Sequence, residues 1–400
     1  MARIRPRLYD SILAWHLERY RQMVFVSGPR QVGKTTTCRK LGDAYLNIDD
    51  MDHRAAIMAG PASLAARIGL TTLRAGKPVL VLDELHRWKK WKAFLKGFFD
   101  TYEARLRIVV TGSSRLDVYR RGGDSLMGRY FPYRMHPFSV AEVARQAIPR
   151  RFPSPPAAIP AAEFRALWRF GGYPEPFIRR DPRHHLRWLV VRNQQLLRGD
   201  LRDLTQVQEL AQIETFAGLL ERRSATRLVY SNLAGIVNTS VDTARRWVRT
   251  LAALYHGFLV RPWHRRIARS LRKEPKWYLR DWSGIQDTGA RAETFIACHL
   301  LKAVEGWTDL GFGRFGLWYL RDKEQREVDF LVTRDDTPWF LVEAKQGDDS
   351  LNPGLAWFQA QTGARHAFQA AIQTPYVNAD CFERKDPVTV PALTFLSQLL

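Results

Sequence analysis

The sequence predicts an α/β fold that begins with a parallel sheet covered by helices on both faces, and three observations support this class. Four short apolar runs, at residues 23–27, 45–48, 78–82 and 107–111, have the length and composition of buried strands. Segments with helical periodicity, such as 88–102, separate them. A glycine-rich loop joins the first run to a helix predicted at 34–41. Strands that alternate with helices in this way form parallel sheets.

Further segments follow this first domain. A proline-rich stretch from 147 to 162 has the composition of a connection, and from 161 to about 260 the pattern is helical with frequent arginines. Short β-like runs return at 312–321, 327–333 and 339–344, after a helix at 291–304. We therefore predict four domains, with the bounds 1–146, 147–220, 221–280 and 281–400.

The composition is that of a globular protein without a membrane segment. Of the 400 residues, 46% are hydrophobic and 26% are charged, which is ordinary for globular domains. No apolar run reaches the length of a membrane helix, and the first residues lack the apolar core of a secretory signal. The three cysteines, Cys38, Cys298 and Cys381, form no metal-ligand or disulfide pattern. We expect a cytoplasmic protein with reduced thiols and no membrane partner.

The charge is unevenly placed along the chain. The formal net charge is +22; residues 1–140 hold 25 Lys/Arg against 12 Asp/Glu, and residues 141–280 hold 26 against 11. Residues 281–400 are acidic, with 11 against 17. A basic body of this size attracts polyanions, because neutralising phosphates releases counterions. We therefore expect a nucleic-acid partner, and the alternative is an arginine-rich proteome in which these arginines are only solvated surface residues.

A phosphate-binding loop lies between the first predicted strand and the helix after it. The stretch Gly28-Pro-Arg-Gln-Val-Gly-Lys-Thr35 fits the pattern G-x-x-x-x-G-K-[ST], whose backbone N–H groups surround phosphate oxygens at a helix N-terminus. Lys34 is expected to reach the β- and γ-phosphates, and the Thr35 hydroxyl to ligate Mg²⁺. The residues expected to bind the nucleotide here are Gly28, Pro29, Arg30, Gln31, Val32, Gly33, Lys34, Thr35 and Thr36. The sequence thus predicts binding of ATP with magnesium.

Two carboxylates end the third apolar run. Asp83 and Glu84 directly follow Val-Leu-Val-Leu, where Asp83 can hold the magnesium shell and Glu84 can polarise the attacking water. An apolar run followed by Asp-Glu is common by itself. At this distance behind a phosphate loop it predicts ATP hydrolysis.

Two weaker candidates lie beyond the fourth run. Ser113 or Ser114 would sit near the γ-phosphate as a polar sensor, although a loop serine can equally satisfy its own backbone. Arg129 is a candidate arginine finger that reaches the nucleotide of a neighbouring subunit. The alternative for Arg129 is a surface salt bridge.

These motifs, together with Gly-Gly-Tyr-Pro at 171–174, resemble in their order one family of AAA-type ATPases. Its bacterial and archaeal members carry a C-terminal domain long labelled as of unknown function, and they are related to the signal-transduction ATPases with numerous domains. The resemblance covers nearly the whole chain. It implies that Tyr173 and Pro174 lie beside the base of the nucleotide in a helical lid. From the residues alone, this tetrad is equally a helix-breaking turn.

Residues 231–251 resemble a helix-turn-helix, with a polar turn at 238–240. The side chains expected on the buried faces are Leu233, Ile236, Val241, Ala244, Trp247, Val248 and Leu251. The side chains left facing outward, where they suit phosphates or base edges of DNA, are Asp242, Thr243, Arg245, Arg246 and Arg249. Runs at 255–262 and 276–279 are candidate wing strands. The alternative is that the module packs against its own ATPase domain or a sister subunit.

The acidic C-terminal segment predicts a β-hairpin with a turn at 335–338. Glu343 and Lys345 share one face of its second strand, and Asp329 on the first strand can join them. Two carboxylates that converge with a lysine suit Mg²⁺-dependent phosphodiester hydrolysis. The arrangement resembles PD-(D/E)XK nucleases, and Glu293 on the preceding helix matches their additional carboxylate. The alternative is a nuclease fold used as a scaffold or as a structure-sensing module.

Three functions are consistent with this sequence. The first is an ATP-driven DNA-processing motor, a homo-oligomer that forms a full ring, such as a hexamer, or a partial ring, and that remodels duplex or branched DNA. The second is an ATP-regulated endonuclease of a defence or mobile-element system. The third is a regulatory switch that uses ATP to change its oligomeric state without motor work.

Overall fold

A computed structural model describes residues 5–73, 75–112, 126–197, 210–264, 274–347 and 350–400. The chain forms two compact units. The first unit comprises Ile4–Pro137 and Gln146–Ile148, and the second comprises Phe138–Arg145 and Pro149–Leu400. Within the described ranges, no helix is long and apolar enough to cross a membrane.

A five-stranded parallel sheet forms the centre of the first unit. Its strands, in the spatial order β2-β3-β4-β1-β5, are β1 (Met23–Ser27), β2 (Ala44–Asn47), β3 (Val79–Asp83), β4 (Arg107–Thr111) and β5 (Tyr130–Arg134). The predicted α/β class with a parallel sheet is therefore confirmed. The sequence did not predict β5, which contains Pro132. A proline is tolerated there because β5 lies at the edge of the sheet.

Helices flank this sheet. They are α1 (Leu8–Arg19), α2 (Lys34–Leu41), α3 (Met51–Met58), α4 (Pro61–Arg67) and α5 (Trp91–Tyr102). Helix α5 buries Phe94, Phe98 and three other apolar side chains in a core that includes residues of β1 and β3. It begins three residues later than predicted, and a separate 3₁₀ turn at Leu85–Arg87 precedes it. The parallel strands direct the ends of β1 and β3 to the same edge of the sheet.

The second unit contains a mixed eight-stranded sheet in the order β13-β12-β11-β10-β9-β7-β8-β6. Its strands are β6 (Thr226–Arg227), β7 (Gly257–Pro262), β8 (Lys276–Leu279), β9 (Phe315–Arg321), β10 (Glu327–Arg334), β11 (Thr337–Lys345), β12 (His366–Ala371) and β13 (Val388–Pro391). Because β7 pairs with β9, the domain boundary predicted near residue 280 falls inside this sheet. The division into four domains remains a prediction.

Ten described helices accompany this sheet in the second unit. They are α6 (Val140–Ala144), α7 (Ala161–Phe170), α8 (Pro174–Arg179), α9 (Pro182–Gln195), α10 (Leu210–Glu221), α11 (Tyr230–Ile236), α12 (Val241–Ala253), α13 (Thr288–Asp309), α14 (Pro353–Thr362) and α15 (Ala392–Ser397). Trp247 and Leu251 of α12 pack in one core with Leu233 of α11, as the periodicity predicts. The prediction that Ile236 turns inward is wrong. Its side chain is 54% exposed, because α11 ends at this residue.

Candidate functional site

The loop between β1 and α2 has the backbone that phosphate binding requires. Gly28 and Gly33 have positive φ angles of 151° and 100°, which side-chain-bearing residues rarely adopt. A Cβ atom on Gly28 would lie 2.3 Å from the carbonyl oxygen of Met135, so only glycine fits. The loop therefore delivers the first N–H groups of α2 to one point at the end of β1.

The side chains of the phosphate loop differ in burial, and Lys34 is among the buried ones. Pro29 and Val32 are buried, whereas the residues with exposed side chains are Arg30, Gln31, Thr35 and Thr36. Lys34 is buried, and its ammonium donates to the carbonyl oxygens of Gly28 at 2.9 Å and Pro29 at 2.8 Å. Burial lowers the pKa of Lys34 to about 8, against the opposing charges of Glu84 and Asp83. The Lys34 ammonium is therefore held inside the loop in which the phosphates are expected to bind.

The two carboxylate oxygens of Asp83, at the end of β3, have different surroundings. Its Oδ2 accepts hydrogen bonds from the Thr35 hydroxyl at 2.9 Å and the Tyr45 hydroxyl at 2.8 Å. Its Oδ1 is buried and has no hydrogen-bond partner within the described part of the chain. Such an oxygen is unfavourable unless a cation or water completes it. A hydroxyl beside a carboxylate is an oxygen donor set that fits Mg²⁺.

Tyr45 is a site residue that the sequence analysis missed. Burial and the neighbouring Asp83 raise the pKa of Tyr45, so its hydroxyl stays protonated as a donor. The Arg39 guanidinium lies 4.9 Å from the centre of its ring. Tyr45 reaches Asp83 because β2 lies next to β3, and the sequence alone did not give this strand order.

Glu84 occupies the first position beyond β3 with a left-handed backbone, φ 54°. Its N–H donates to the carbonyl oxygen of Thr111 at 2.8 Å, so the backbone of Glu84 is held beside the end of β4. Burial raises the pKa of Glu84, although the Lys34 ammonium opposes this effect. A carboxylate with a raised pKa in such a site suits the acceptance of a proton.

Arg7 supports the phosphate loop from outside, a role that no local sequence pattern predicts. Its guanidinium is buried and donates to the carbonyl oxygens of Val32 at 2.5 Å and His136 at 2.6 Å. It therefore ties the loop to the chain that follows β5. Contacts across 25 and 129 residues of sequence cannot be inferred from local pattern.

The two weaker candidates have different outcomes. Ser113 and Ser114 lie outside the described residues. Arg129 donates through Nε and Nη2 to the two carboxylate oxygens of Asp100, at 2.7 and 2.9 Å. This pair is the surface salt bridge considered as the alternative. The arginine-finger role remains a prediction, and it would require the pair to separate.

The Gly-Gly-Tyr-Pro tetrad forms a turn between α7 and α8. Gly171 ends α7 with φ 77°, and Pro174 is the first residue of α8. Tyr173 is fully buried, its ring packs 5.1 Å from that of Trp188, and its hydroxyl accepts a hydrogen bond from Arg192. The helix-breaking turn is thus present in the second unit. A contact of Tyr173 with a base remains a prediction that requires it to leave this packing.

The outward face of α12 carries the predicted DNA-contacting residues. Arg245, Arg246 and Arg249 are exposed, and Thr243 is half-buried. Ser240 caps the helix by accepting the N–H of Thr243 at 3.1 Å. The capped helix therefore presents three arginines on one side.

The acidic residues predicted for nuclease chemistry converge in the second unit. Asp329 accepts the N–H of Ala344 at 3.0 Å, which joins β10 to β11 beside Glu343. Lys345 lies 3.3 Å from Glu343. Burial raises the pKa of Glu343 to about 7, and the charge of Asp329 adds to this effect. Burial, with a further contribution from Asp329, likewise raises the pKa of Glu293 to about 8.

A second lysine, which the sequence analysis took only as part of a wing strand, lies among these carboxylates. The Lys276 ammonium is 2.8 Å from Glu293, 2.7 Å from Glu327 and 3.1 Å from Asp329. Burial would lower the pKa of Lys276, but the charge of Asp329 and the other two carboxylates raises it above its usual value. Among the residues that the structure describes, no group of three or more His, Cys, Asp or Glu is arranged to hold a metal ion.

Comparisons with known families cover two parts of the chain. Residues 20–144 match a family model described as an AAA domain, and residues 161–286 match one described as a domain of unknown function (DUF8612). Two uncharacterized proteins, from Mycobacterium bovis and Mycobacterium tuberculosis, are each 26% identical to the chain over 359 residues. These alignments cover 83% of this chain and 72% of each relative.

Solved structures give weaker likenesses. The Aeropyrum pernix ORC1 protein in complex with DNA is 11% identical, with 74% of this chain and 93% of that chain covered and a TM-score of 0.34. A RuvB variant from Thermotoga maritima is 16% identical, with 63% and 86% covered and a TM-score of 0.27. AMPPCP-bound DnaA from Aquifex aeolicus is 11% identical, with 60% and 86% covered and a TM-score of 0.28. Residues 20–144 are thus similar to an AAA domain, and the phosphate loop, Asp83 and Glu84 all lie within this match.

Proposed function

We propose that the chain is an ATP-hydrolysing, DNA-binding protein that uses hydrolysis to remodel duplex or branched DNA. The observation that carries the ATP-hydrolysing part of this proposal is the surroundings of Asp83. One of its oxygens is held by Thr35 and Tyr45, and the other is buried without a partner in the described structure. The carboxylate is therefore held in place and incompletely coordinated, as a magnesium-binding residue of an ATPase should be.

Each residue at the end of β1 and β3 has a role in hydrolysis. Lys34 and the loop N–H groups bind the phosphates, after the ammonium exchanges its two loop carbonyls for phosphate oxygens. Mg²⁺, held by Thr35 and Asp83, supplies neutralising charge on the phosphates. Glu84 orients the attacking water and accepts its proton, which its raised pKa favours.

DNA contact is supported by the face of α12 and by the charge around it. Arg245, Arg246 and Arg249 are exposed on a capped helix, within a region of the sequence that holds 26 Lys/Arg against 11 Asp/Glu. The order α11, α12, then the antiparallel pair β7 and β8 is that of a winged helix. We infer that the basic region grips the DNA backbone and α12 enters a groove.

The first experiment measures ATP hydrolysis by the full chain without DNA and with single-stranded, duplex or four-way-junction DNA. We expect one DNA form to stimulate hydrolysis, and Lys34→Ala to abolish the activity. DNA recovered after the reaction is expected to be uncut. Hydrolysis that no DNA form changes would remove the motor role while leaving the ATPase intact.

The second experiment tests α12 by replacing Arg245, Arg246 and Arg249 with alanine. If all three contact phosphates, the salt dependence of duplex binding loses about 3 from its log–log slope. The matched control removes three other exposed arginines of the second unit, Arg179, Arg183 and Arg187. An equal loss in both triple variants would mean that overall charge, and not α12, binds the DNA.

A nucleotide-controlled switch is the second candidate, and the pairing of Arg129 with Asp100 favours it. An arginine occupied within its own chain is not poised to act on a neighbouring nucleotide. In a switch, Arg129→Ala leaves the rate of hydrolysis unchanged and ATP shifts the molecular mass measured by light scattering. In a motor, Arg129→Ala removes hydrolysis while ATP still binds.

A further inference from the structure

A lysine ammonium lies at the centre of the acidic cluster in the second unit. We define the carboxylate cluster as Glu293, Glu327, Asp329 and Glu343, which come from α13, β10 and β11. Lys276, on β8, contacts three of these four carboxylates within 3.1 Å. Its side chain is only 4% exposed. The ammonium is thus an internal component of the cluster and not a surface charge that happens to lie near it.

The contacts of the cluster leave little coordination for a metal ion. Asp329 uses one oxygen for Lys276 and the other for the N–H of Ala344, at 3.0 Å. Glu327 likewise divides its oxygens between Lys276 and Arg321, the latter at 2.6 Å. The Lys276 ammonium lies 2.7 to 3.1 Å from oxygens of Glu293, Glu327 and Asp329, where a cation shared by the three carboxylates would lie. Because Mg²⁺ requires oxygens at about 2.0–2.1 Å, an ion shared by these carboxylates would have to displace the ammonium.

The charges of the cluster are also nearly balanced without a metal. Three cationic side chains contact its four carboxylates: Lys276, Arg321 and Lys345. Glu293 has a further partner, because the Tyr278 hydroxyl donates to the same oxygen that faces Lys276, at 2.6 Å. Tyr278 and Lys276 both come from β8. This strand therefore brings to the cluster the positive charge that a bound ion would otherwise provide, together with a hydroxyl donor.

We propose that Lys276 takes the place of the metal ion in this nuclease-like centre, so that the C-terminal part of the second unit is a metal-independent module that does not cut DNA. Lys345 already stands at the position expected of the lysine in a cleaving centre, beside Glu343. Lys276 is thus an additional cation with no role in that chemistry. The carboxylates then have a structural role, because they bind Lys276 and join β8 to α13 and β10. This inference is independent of ATP hydrolysis and of DNA remodelling.

The test is Mn²⁺ binding to the nucleotide-free full chain, measured by electron paramagnetic resonance, in the wild type and in Asp329→Asn. We expect the same amount of bound Mn²⁺ in both, because the cluster holds none. Mn²⁺ binding that Asp329→Asn removes would overturn the proposal. So would Mn²⁺-dependent cleavage of DNA that Asp329→Asn abolishes. This comparison does not depend on whether a Lys276 variant folds.

Lys276→Met supplies the positive counterpart. Without the ammonium the carboxylates repel one another, so the unfolding temperature in EDTA falls by roughly 10 °C, and Mn²⁺ restores part of the loss. The matched control is Lys345→Met, which removes a partly exposed cation and is expected to gain no Mn²⁺-dependent stability. A Lys276→Met protein that Mn²⁺ does not stabilise would show that the cluster cannot accept an ion in place of the ammonium. That result would overturn the proposal that Lys276 takes the place of a metal ion.

Discussion

Tyr45→Phe should weaken the use of magnesium without unfolding the ATPase domain. The substitution removes the hydroxyl that donates to Asp83 Oδ2 and leaves the ring, with its contact to Arg39, in place. Among the described residues, the Thr35 hydroxyl is then the one donor left on that oxygen. Because Thr35 is itself an expected magnesium ligand, the carboxylate loses the partner that orients it independently of the ion.

The size of this effect follows from the hydrogen bond that is lost. Hydrogen bonds to charged groups contribute about 1.5–3 kcal/mol. Tyr45 is only half-buried, so the lower end of this range applies, and 1.4 kcal/mol corresponds to about a tenfold change in affinity. Loss of a residue that orients a metal ligand has effects of similar size, about 10- to 100-fold.

The assay is steady-state ATP hydrolysis at a fixed ATP concentration with Mg²⁺ varied. We expect the Mg²⁺ concentration for half-maximal rate to rise about tenfold in Tyr45→Phe, with little change in the rate at saturating Mg²⁺. Tyr102→Phe is the matched control, because Tyr102 lies at the end of α5 and packs on Phe98. An unchanged Mg²⁺ dependence in Tyr45→Phe would refute the positioning role. A lower saturating rate at unchanged Mg²⁺ dependence would assign Tyr45 to the chemical step instead.

Three further predictions concern single residues. Glu84→Gln should bind ATP normally and lose hydrolysis by about 10²- to 10⁴-fold, because the amide cannot accept the proton of the attacking water; nucleotide binding and turnover are measured side by side. Arg7→Ala should destabilise the first unit by about 3 kcal/mol, because two buried carbonyl oxygens lose a charged donor; denaturant unfolding measures this loss. His299 is buried, accepts the N–H of Val140 and donates to the carbonyl oxygen of Phe295, and its pKa is lowered to about 3. Below pH 6.5 the unfolded chain protonates His299 while the folded protein does not, so the free energy of unfolding falls toward pH 3 by up to about 1.4 kcal/mol per pH unit. Unfolding of the wild type and of His299→Gln across this pH range measures the loss.

Each of these predictions has an outcome that contradicts it. Wild-type turnover in Glu84→Gln would move the proton acceptor elsewhere. If Arg7→Ala leaves the free energy of unfolding unchanged but weakens ATP binding, Arg7 positions the phosphate loop and does not stabilise the first unit. A constant stability difference between wild type and His299→Gln from pH 7 to pH 3 would mean that the pKa of His299 is the same in the folded and the unfolded protein.

The sequence predicted those features whose residues are contiguous in the chain. The phosphate loop, the helix after it and the carboxylates at the end of β3 are all local patterns, and three strands, 23–27, 107–111 and 276–279, have the predicted bounds. The turn predicted at 335–338 is a two-residue hairpin turn, because Asp335 and Asp336 both adopt positive φ angles. Helix ends were harder, as Ile236 shows.

The contacts of Tyr45 and Lys276 were not predicted, because they depend on which strands become neighbours in the sheets. Tyr45 reaches Asp83 only because β2 lies beside β3, and a local pattern does not specify that order. Lys276 reaches the carboxylate cluster only because β7 pairs with β9 and brings β8 into the same sheet. The predicted wing strand was in the right place. Lys276 on this strand contacts the carboxylates because the sheet continues across the predicted domain boundary near residue 280.

Asp83 and Asp329 were both predicted to bind a metal ion, and their surroundings now distinguish them. Asp83 has a buried oxygen for which the described residues supply no hydrogen-bond partner, and the contacts on its other oxygen come from two hydroxyls. Asp329 has partners on both oxygens, one of them a buried ammonium. A cation gains most where a carboxylate is desolvated and unpaired, and least where a charged donor already fills the space. Magnesium should therefore bind with ATP in the first unit, while the acidic cluster of the second unit does without it.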